Sequence, residues 1–146
     1  MNNLLNRIQS YASERAVEHA VDRSIELNQG ILVRWVWERW EKGEGVDGPG
    51  SVIGEYANEQ YREKKVKMNP KARGFVDLTY TGALSENLTV RKLGTKYIIY
   101  STDSKYTKLG VKYGFRQFGI TDEQKDLFLR EMEAVATDSI LTQIYR

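Results

Sequence analysis

LTVRKLGTKYIIYST occupies residues 88–102 and carries the strongest secondary-structure signal in the chain. Two runs rich in β-branched and aromatic residues flank a Gly-Thr pair at residues 94–95, which suits a tight connection. Residues 88–93 and 96–102 are therefore predicted to form two antiparallel strands. The preceding GFVDLTY, residues 74–80, alternates in the same way and is predicted to be a third strand of one small sheet.

The chain before this sheet has a helical pattern. Residues 3–28 place Leu, Ile, Val and Ala at the 3.6-residue spacing of one helix face. The Asn-Gln-Gly at residues 28–30 signals a break, after which ILVRWVWERWEK follows at residues 31–42. Its apolar residues also alternate as they would in a strand, but the helix formers and paired charges of its second half favour a helix.

A Gly-rich segment follows the helical region. GEGVDGPGSVIG, residues 43–54, contains five Gly, one Pro and one Asp, and is predicted to be an extended loop. It lacks the Gly-Lys-Ser/Thr ending of a phosphate-binding loop and the Asp spacing of a calcium loop, so a structural role is favoured. We expect this loop to be mobile in the isolated chain and ordered against a neighbouring protein.

Helical signals lie on both sides of the predicted sheet. Residues 54–69 and 103–114 are each predicted to be a short helix. Thr81 is a candidate cap for the turn after the first predicted strand. The last helix begins after Thr121, which forms a capping-box pattern with Gln124.

These elements predict an α+β fold in a single domain that covers residues 1–146. Its parts are a long N-terminal helical region at residues 1–42, the loop at residues 43–54 and an α+β body at residues 55–146. We expect the body to contain a small antiparallel β-sheet with the C-terminal helix packed on the sheet. A chain of 146 residues is long enough to bury one hydrophobic core.

The composition offers little to catalysis. The chain has no Cys, which excludes disulfides, thiolate zinc sites and Cys nucleophiles. Its one histidine, His19, lies in the Ala-containing first helix, and its paired carboxylates occupy ordinary helix positions. No catalytic, cofactor-binding or metal-binding residue is therefore predicted. The N-terminus has no apolar signal-peptide core, and no apolar run is long enough to cross a membrane.

The charge distribution is uneven although the net charge is only +2. Residues 51–120 contain thirteen Lys and Arg against six Asp and Glu, whereas the segments on either side are acidic. This basic middle is either a solvated face or a surface that lies near phosphate or an acidic protein. Lys and Tyr also alternate with each other within residues 96–116, which suits stacking on nucleic acid, although no RNP-like or KH-like motif is present.

Four sequence segments occur in a characteristic order along the chain. They read WEKGEGVDGPGSVIGEYANEQYREKK, VDLTYTGALSENLTV, YIIYSTDSKYTKLGVKYG and FGITDEQKDLFLREM, and lie within residues 36–133. This order resembles the tail-completion (virion-morphogenesis) proteins of tailed bacteriophages. That family has a first helix, an Asp-Gly loop, a helix ending in Lys, a central L..TG.L…V and a final F.G(L/I)(T/S) turn. The matching positions here are Asp47, Gly48, Tyr56, Tyr61, Lys65, Leu78, Thr81, Gly82, Leu84, Val90, Phe118, Gly119, Ile120 and Thr121.

The resemblance implies a structural protein of the virion and not an enzyme. Such a protein is assembled in the host cytoplasm, needs no cofactor or membrane, and forms a homo-oligomeric ring in the head–tail neck. Its neighbours are other neck proteins, the portal or the tail tube, and double-stranded DNA passes nearby in the channel without being read. Since Trp, Tyr and Arg often anchor interfaces, the candidate assembly-interface residues are Trp37, Trp40, Asp47, Tyr56, Tyr61, Lys65, Tyr106, Phe115 and Arg116.

Two other classes stay open at this stage. The basic central segment is also compatible with a nucleic-acid-associated protein, whose binding would weaken steeply with salt. An interaction module from some other assembly would show the same richness in Tyr and Trp.

Overall fold

The computed structural model describes residues 2–79 and 82–144 of the chain. Its helices and strands follow the order α1 (Asn2–Leu27), α2 (Gln29–Glu41), α3 (Glu59–Met68), α4 (Ala83–Glu86), β1 (Leu88–Leu93), β2 (Lys96–Ser101), α5 (Tyr106–Tyr113) and α6 (Asp122–Ile144). Two short 3-10 helices, Pro70–Ala72 and Phe115–Phe118, follow α3 and α5 respectively. The chain is thus an α+β protein with a long N-terminal helical region, a small antiparallel sheet and a C-terminal helix, as the sequence predicts.

The chain divides into two compact units. One consists of Met1–Asn28 with Lys125–Arg146, and the other of Gln29–Gln124. In the first unit, the buried apolar side chains of the described residues are Ile25, Phe128 and Met132. Packing of the C-terminal helix on the sheet, and a single domain for the whole chain, stay predictions.

The hydrophobic core of the second unit forms around α2. Val36 and Trp40 are fully buried, and the ring of Phe118 meets the indole of Trp40 edge to face with centroids 5.3 Å apart. Apolar residues from the segments between α2 and α5 complete this core: Ile53, Val76, Leu78, Leu84 and Leu88. The helix assignment for residues 31–42 is therefore confirmed, since α2 turns one apolar side of this stretch inward.

The hairpin is confirmed, but the sheet has two strands instead of three. β1 and β2 pair antiparallel, with Leu88 opposite Ser101 and Leu93 opposite Lys96. The predicted strand at residues 74–80 is wrong for residues 74–79, where only an isolated bridge joins Phe75 to Glu55. Leu78 has a positive φ of 52°, which breaks extended backbone, and the buried carboxylate of Asp77 accepts a hydrogen bond from the Thr79 N–H. Tyr80 and the predicted cap Thr81 lie outside the described residues.

The capping box at the start of α6 is confirmed. The Thr121 N–H donates to Oε1 of Gln124 at 3.0 Å, and the Gln124 N–H donates to Oγ1 of Thr121 at 3.2 Å. The helix predicted for residues 54–69 begins later, at Glu59, because the Asn58 side chain accepts from the Tyr61 N–H and caps it there.

The loop at residues 43–54 is folded back on itself. The Gly45 N–H donates to the Ser51 carbonyl, and an isolated bridge joins Glu44 to Val52. Two apolar side chains of this loop, Val46 and Ile53, are buried. Its mobility in solution and its ordering against a neighbour stay predictions.

Candidate functional site

A buried ion pair lies at the centre of the second unit's polar interior. The Lys65 ammonium lies 2.8 Å from Oδ1 of Asp77, and the two side chains are 3% and 1% exposed. α3 delivers Lys65, and the irregular segment after Val76 delivers Asp77. Because both charges are out of water, each needs the other for compensation.

Further hydrogen bonds surround this ion pair. Asn69, which follows α3, donates to Oδ2 of Asp77 at 3.0 Å and to the Glu41 carbonyl at 2.8 Å. The Tyr56 hydroxyl reaches Oδ1 of Asp77 at 3.4 Å, and the Lys65 ammonium also donates to the Thr79 carbonyl. The cluster thereby fastens the end of α2, the end of α3 and the turn at Asp77 to one another.

The pKa of Asp77 reflects two opposing influences. Burial raises it, but the hydrogen bonds from Lys65, Asn69 and the Thr79 N–H outweigh burial and hold the pKa below its ordinary value. The pKa of Tyr56 is raised, first by burial and then by the nearby carboxylate of Asp77. At neutral pH the cluster therefore contains an ionised carboxylate beside a neutral phenol.

An open cleft of about 440 Å³ lies beside this cluster. We call it the Tyr56 cleft, and its aromatic walls are Tyr56, Tyr61 and Tyr113. Two exposed lysines also line it: Lys105, just before α5, and Lys112 within α5. The apolar side chains of the lining come partly from the core: Val76, Leu78, Leu84 and Leu109. The cleft combines apolar walls with cationic side chains, which is the make-up of a binding surface.

A second buried cation ties α2 to the turn before α6. Arg39 is 4% exposed and donates to the Glu44 carbonyl at 2.9 Å, the Gln117 carbonyl at 2.6 Å and the Gly119 carbonyl at 2.8 Å. The Gln117 Oε1 accepts from Arg39 at 3.4 Å and from the Val46 N–H at 3.0 Å. We call this set of hydrogen bonds the Arg39 clamp. It connects the 3-10 turn Phe115–Phe118 to α2 and to the loop at residues 43–54.

The buried position of Arg39 changes the pKa of its guanidinium. Removal from water lowers the pKa of Arg39 to about 10, although Glu44 and Asp47 act in the opposite direction. The Arg39 Nε is buried and has no hydrogen-bond partner within the described part of the chain. The hydrogen-bond acceptors of this charge are neutral carbonyl and amide oxygens, while Glu44 and Asp47 contribute electrostatically.

The hairpin and α5 present a basic surface. Residues 88–116 contain seven Lys and Arg and one acidic residue, Asp103. Two of the cations lie over rings of the hairpin: Arg91 over Tyr100 at 5.1 Å and Lys92 over Tyr97 at 5.7 Å. The two pairs lie on opposite faces of the hairpin, because Arg91 and Lys92 are consecutive in β1, and both rings are half-buried.

The structure separates the predicted interface residues into three groups. Trp40 and Lys65 are in the interior, so their assignment to an assembly surface is corrected: Trp40 fills the core and donates to the Gln117 carbonyl, and Lys65 pairs with Asp77. Trp37 and Phe115 are 42% and 47% exposed and remain candidates.

The remaining candidates fall into neighbouring contacts. Asp47 and Arg116 form an exposed ion pair with each other at 2.5 Å. Tyr56 and Tyr61 meet edge to face at 5.2 Å in the wall of the cleft. Tyr106 lies half-buried between the rings of Phe115 and Phe118, so it joins the surface to the core.

Sequence reasoning missed three residues that organise this region. Arg39, Asp77 and Gln117 are all buried and hydrogen-bonded, and two of them were assigned to ordinary helix or strand positions. A signal for Asp77 does exist, because an acidic residue inside the predicted strand VDLTY is unfavourable there. For Arg39 and Gln117 the local sequence offers no comparable signal.

No candidate metal centre or membrane span occurs in the residues that the structure describes. Within residues 2–79 and 82–144, no three or more His, Cys, Asp or Glu side chains gather closely enough to hold a metal ion. The same residues include no helix that is both long and apolar enough to cross a bilayer.

No protein-family model, curated protein or solved structure matches this chain.

Proposed function

We propose that this chain is a structural protein of the head–tail neck of a tailed bacteriophage. It forms part of a ring that joins the portal or head-completion ring to the tail, and it has no enzymatic role. The observation that carries the proposal is the ordered set of motifs that resembles tail-completion proteins. Three of the matching positions, Leu78, Leu84 and Phe118, belong to one hydrophobic core, which supports reading the set as a single folded unit.

The two buried polar clusters support a structural role. The Lys65–Asp77 cluster connects the ends of α2 and α3, and the Arg39 clamp connects α2 to a turn 78 residues later, through hydrogen bonds within the same chain. We infer that ionisable groups held in this way favour one conformation of the chain.

The surface of the second unit supports ring formation. A heterologous contact that closes into a ring requires two different faces on each protomer. The hairpin and α5 supply one basic face, whereas the exposed acidic residues Asp47 and Glu59 already pair with Arg116 and Arg62, so a second face has to come from other residues. Exposed Trp37 and Phe115 add the large apolar anchors that interfaces favour.

Electron microscopy of the virion tests this placement. Virions labelled with gold-conjugated antibody against the chain are expected to carry gold at the junction of head and tail. Gold on the capsid shell, on the distal tail or on no part of the virion would contradict the proposal. Antibody labelling of purified protein on the same grids controls for epitope access.

A second function is favoured by the basic hairpin. On one face Arg91 and Tyr100, and on the other Lys92 and Tyr97, each combine a cation for the phosphate backbone with a ring for stacking on a base of nucleic acid. A gel-shift titration with duplex and single-stranded DNA over a range of salt concentrations tests it. Binding that weakens steeply with salt would support this alternative, and no binding at low salt would exclude it.

A further inference from the structure

The walls of the Tyr56 cleft are held in place by contacts within the second unit. The Tyr113 ring packs on the backbone of Gly54, where an added Cβ would lie 2.9 Å from the ring. Tyr56 is fixed by its edge-to-face contact with Tyr61 and by its hydroxyl, which reaches Asp77. A cleft with fixed aromatic walls is formed before any ligand arrives, which lowers the entropic cost of binding.

The charges around the cleft favour an anion. Among its described lining residues, Asp77 is the only acidic side chain, and Lys65 already compensates that charge. Lys105, the residue that precedes α5, and Lys112 in its last turn add two exposed ammonium groups. Lys112 lies over the Tyr113 ring at 5.1 Å, so one cation is held directly beside an aromatic wall. The cleft is therefore positive and apolar at once.

We propose that the Tyr56 cleft binds an acidic peptide segment of a partner protein. One apolar or aromatic side chain of the peptide lies against Tyr56, Tyr61 and Tyr113, and the flanking carboxylates pair with Lys105 and Lys112. A volume of about 440 Å³ accommodates one such side chain and its neighbouring backbone. Charge complementarity selects an acidic segment over a basic one, and the aromatic walls supply the anchor that a purely ionic surface lacks.

This proposal goes beyond the placement in a phage neck, since a peptide would bind the cleft in any assembly. The two can also fail separately. Gold labelling at the neck reports position in the virion, whereas peptide binding reports the chemistry of the isolated chain.

A titration of the full-length, isotope-labelled chain followed by nuclear magnetic resonance tests the proposal. The probes are acetylated, amidated pentapeptides Asp-Glu-X-Glu-Asp, in which X is Trp, Phe, Tyr or Leu. At least one is expected to give saturable shifts at residues lining the cleft, with a Kd below ~1 mM that rises with salt. The peptide Lys-Lys-Phe-Lys-Lys is expected to leave those residues unshifted.

Lysine variants at and next to α5 provide the matched control. The double variant Lys105→Glu/Lys112→Glu is expected to raise the Kd by about tenfold or more, because both cations of the cleft reverse sign. Lys108→Glu changes an exposed lysine of the same helix that does not line the cleft, so its Kd should stay within about twofold of the unmodified chain.

Three results would overturn the proposal. The first is the absence of saturable shifts at the cleft with all four acidic peptides. The second is an equal loss of affinity in Lys108→Glu and in the double variant. The third is tighter binding of adenosine monophosphate at the same residues, which would make the cleft a nucleotide site.

Discussion

The two buried cations of the second unit are compensated in different ways. Lys65 lies beside a carboxylate, whereas Arg39 is surrounded by carbonyl and amide oxygens. Both side chains are almost completely buried, at 3% and 4% exposure. Lys65 thus belongs to a neutral ion pair, while Arg39 brings a net charge into the interior.

The difference follows from the chemistry of the two groups. A guanidinium has five N–H donors in a plane and can reach several carbonyls at once, which an ammonium cannot do in the same geometry. Arg39 therefore bridges three backbone carbonyls in the loop and the turn, and only its Nε is left without a partner among the described residues. The ammonium of Lys65 bonds the Thr79 carbonyl but depends on Asp77 for charge compensation, so its site should be the more sensitive to loss of that carboxylate.

Loss of the carboxylate is expected to have the largest effect. Asp77→Ala leaves the Lys65 ammonium buried without compensation and should lower the free energy of unfolding by about 4 kcal/mol. Urea unfolding followed by Trp fluorescence measures the change. A loss below ~1 kcal/mol would show that Lys65 can reach water or another acceptor.

Two further variants separate charge from packing at this site. Lys65→Met/Asp77→Leu removes both charges and should recover more than half of the stability lost in Asp77→Ala. Glu59→Ala breaks the exposed pair with Arg62, whose side chains are 67% and 45% exposed, and should cost less than ~1 kcal/mol.

Loss of the Arg39 clamp is expected to come next. Arg39→Met keeps the length and removes the donors to the carbonyls of Glu44, Gln117 and Gly119, which should cost about 3 kcal/mol. The cost is smaller than for Asp77→Ala because no buried charge is left behind. Arg34→Met changes an exposed arginine of the same helix and should stay within ~1 kcal/mol of the unmodified chain, as urea unfolding can show. Equal effects of the two variants would contradict the clamp.

Acid should weaken the Lys65–Asp77 site. The folded pKa of Asp77 is lowered, so its contribution is complete above the ordinary value of 3.8 and is lost as the pH falls further. Between neutral pH and about pH 3, the unmodified chain should therefore lose more stability than Lys65→Met/Asp77→Leu, which lacks this carboxylate. The urea midpoints of both proteins at several pH values measure the difference, and parallel curves would exclude it.

The smallest effect is expected from giving Arg39 a carboxylate of its own. Gln117→Glu retains an acceptor for Arg39 and for the Val46 N–H and adds a compensating charge. It should raise the free energy of unfolding by about 1 kcal/mol at neutral pH, and the gain should disappear in acid. A loss of stability at every pH would indicate that the neutral oxygens already compensate Arg39 fully.

Local sequence patterns predicted the helices and the hairpin better than they predicted the buried polar contacts. The hairpin around the Gly-Thr pair, the break near Asn28 and the Thr121–Gln124 capping box all depend on neighbouring residues, and all are present. The strand at residues 74–79 failed because alternation alone cannot show that Asp77 binds Lys65, twelve residues earlier on a helix.

The candidate site could be predicted only in part. Tyr56, Tyr61, Asp47 and Arg116 are predicted interface residues; the first two line one cleft and the last two pair with each other, and their role in an assembly stays a prediction. The clamp could not be found, because Arg39 and Gln117 are 78 residues apart and each resembles an exposed polar residue in its own segment. Contacts over such separations depend on tertiary packing, which periodicity does not encode.

Electron microscopy of particles assembled without this chain tests the proposed function most directly. The gene is inactivated in the phage, and a plasmid copy that restores the chain serves as the control. We predict complete heads and complete tails that stay separate, with joining restored by the plasmid copy. Normal, joined and infectious particles in the absence of the chain would contradict a role in the head–tail neck.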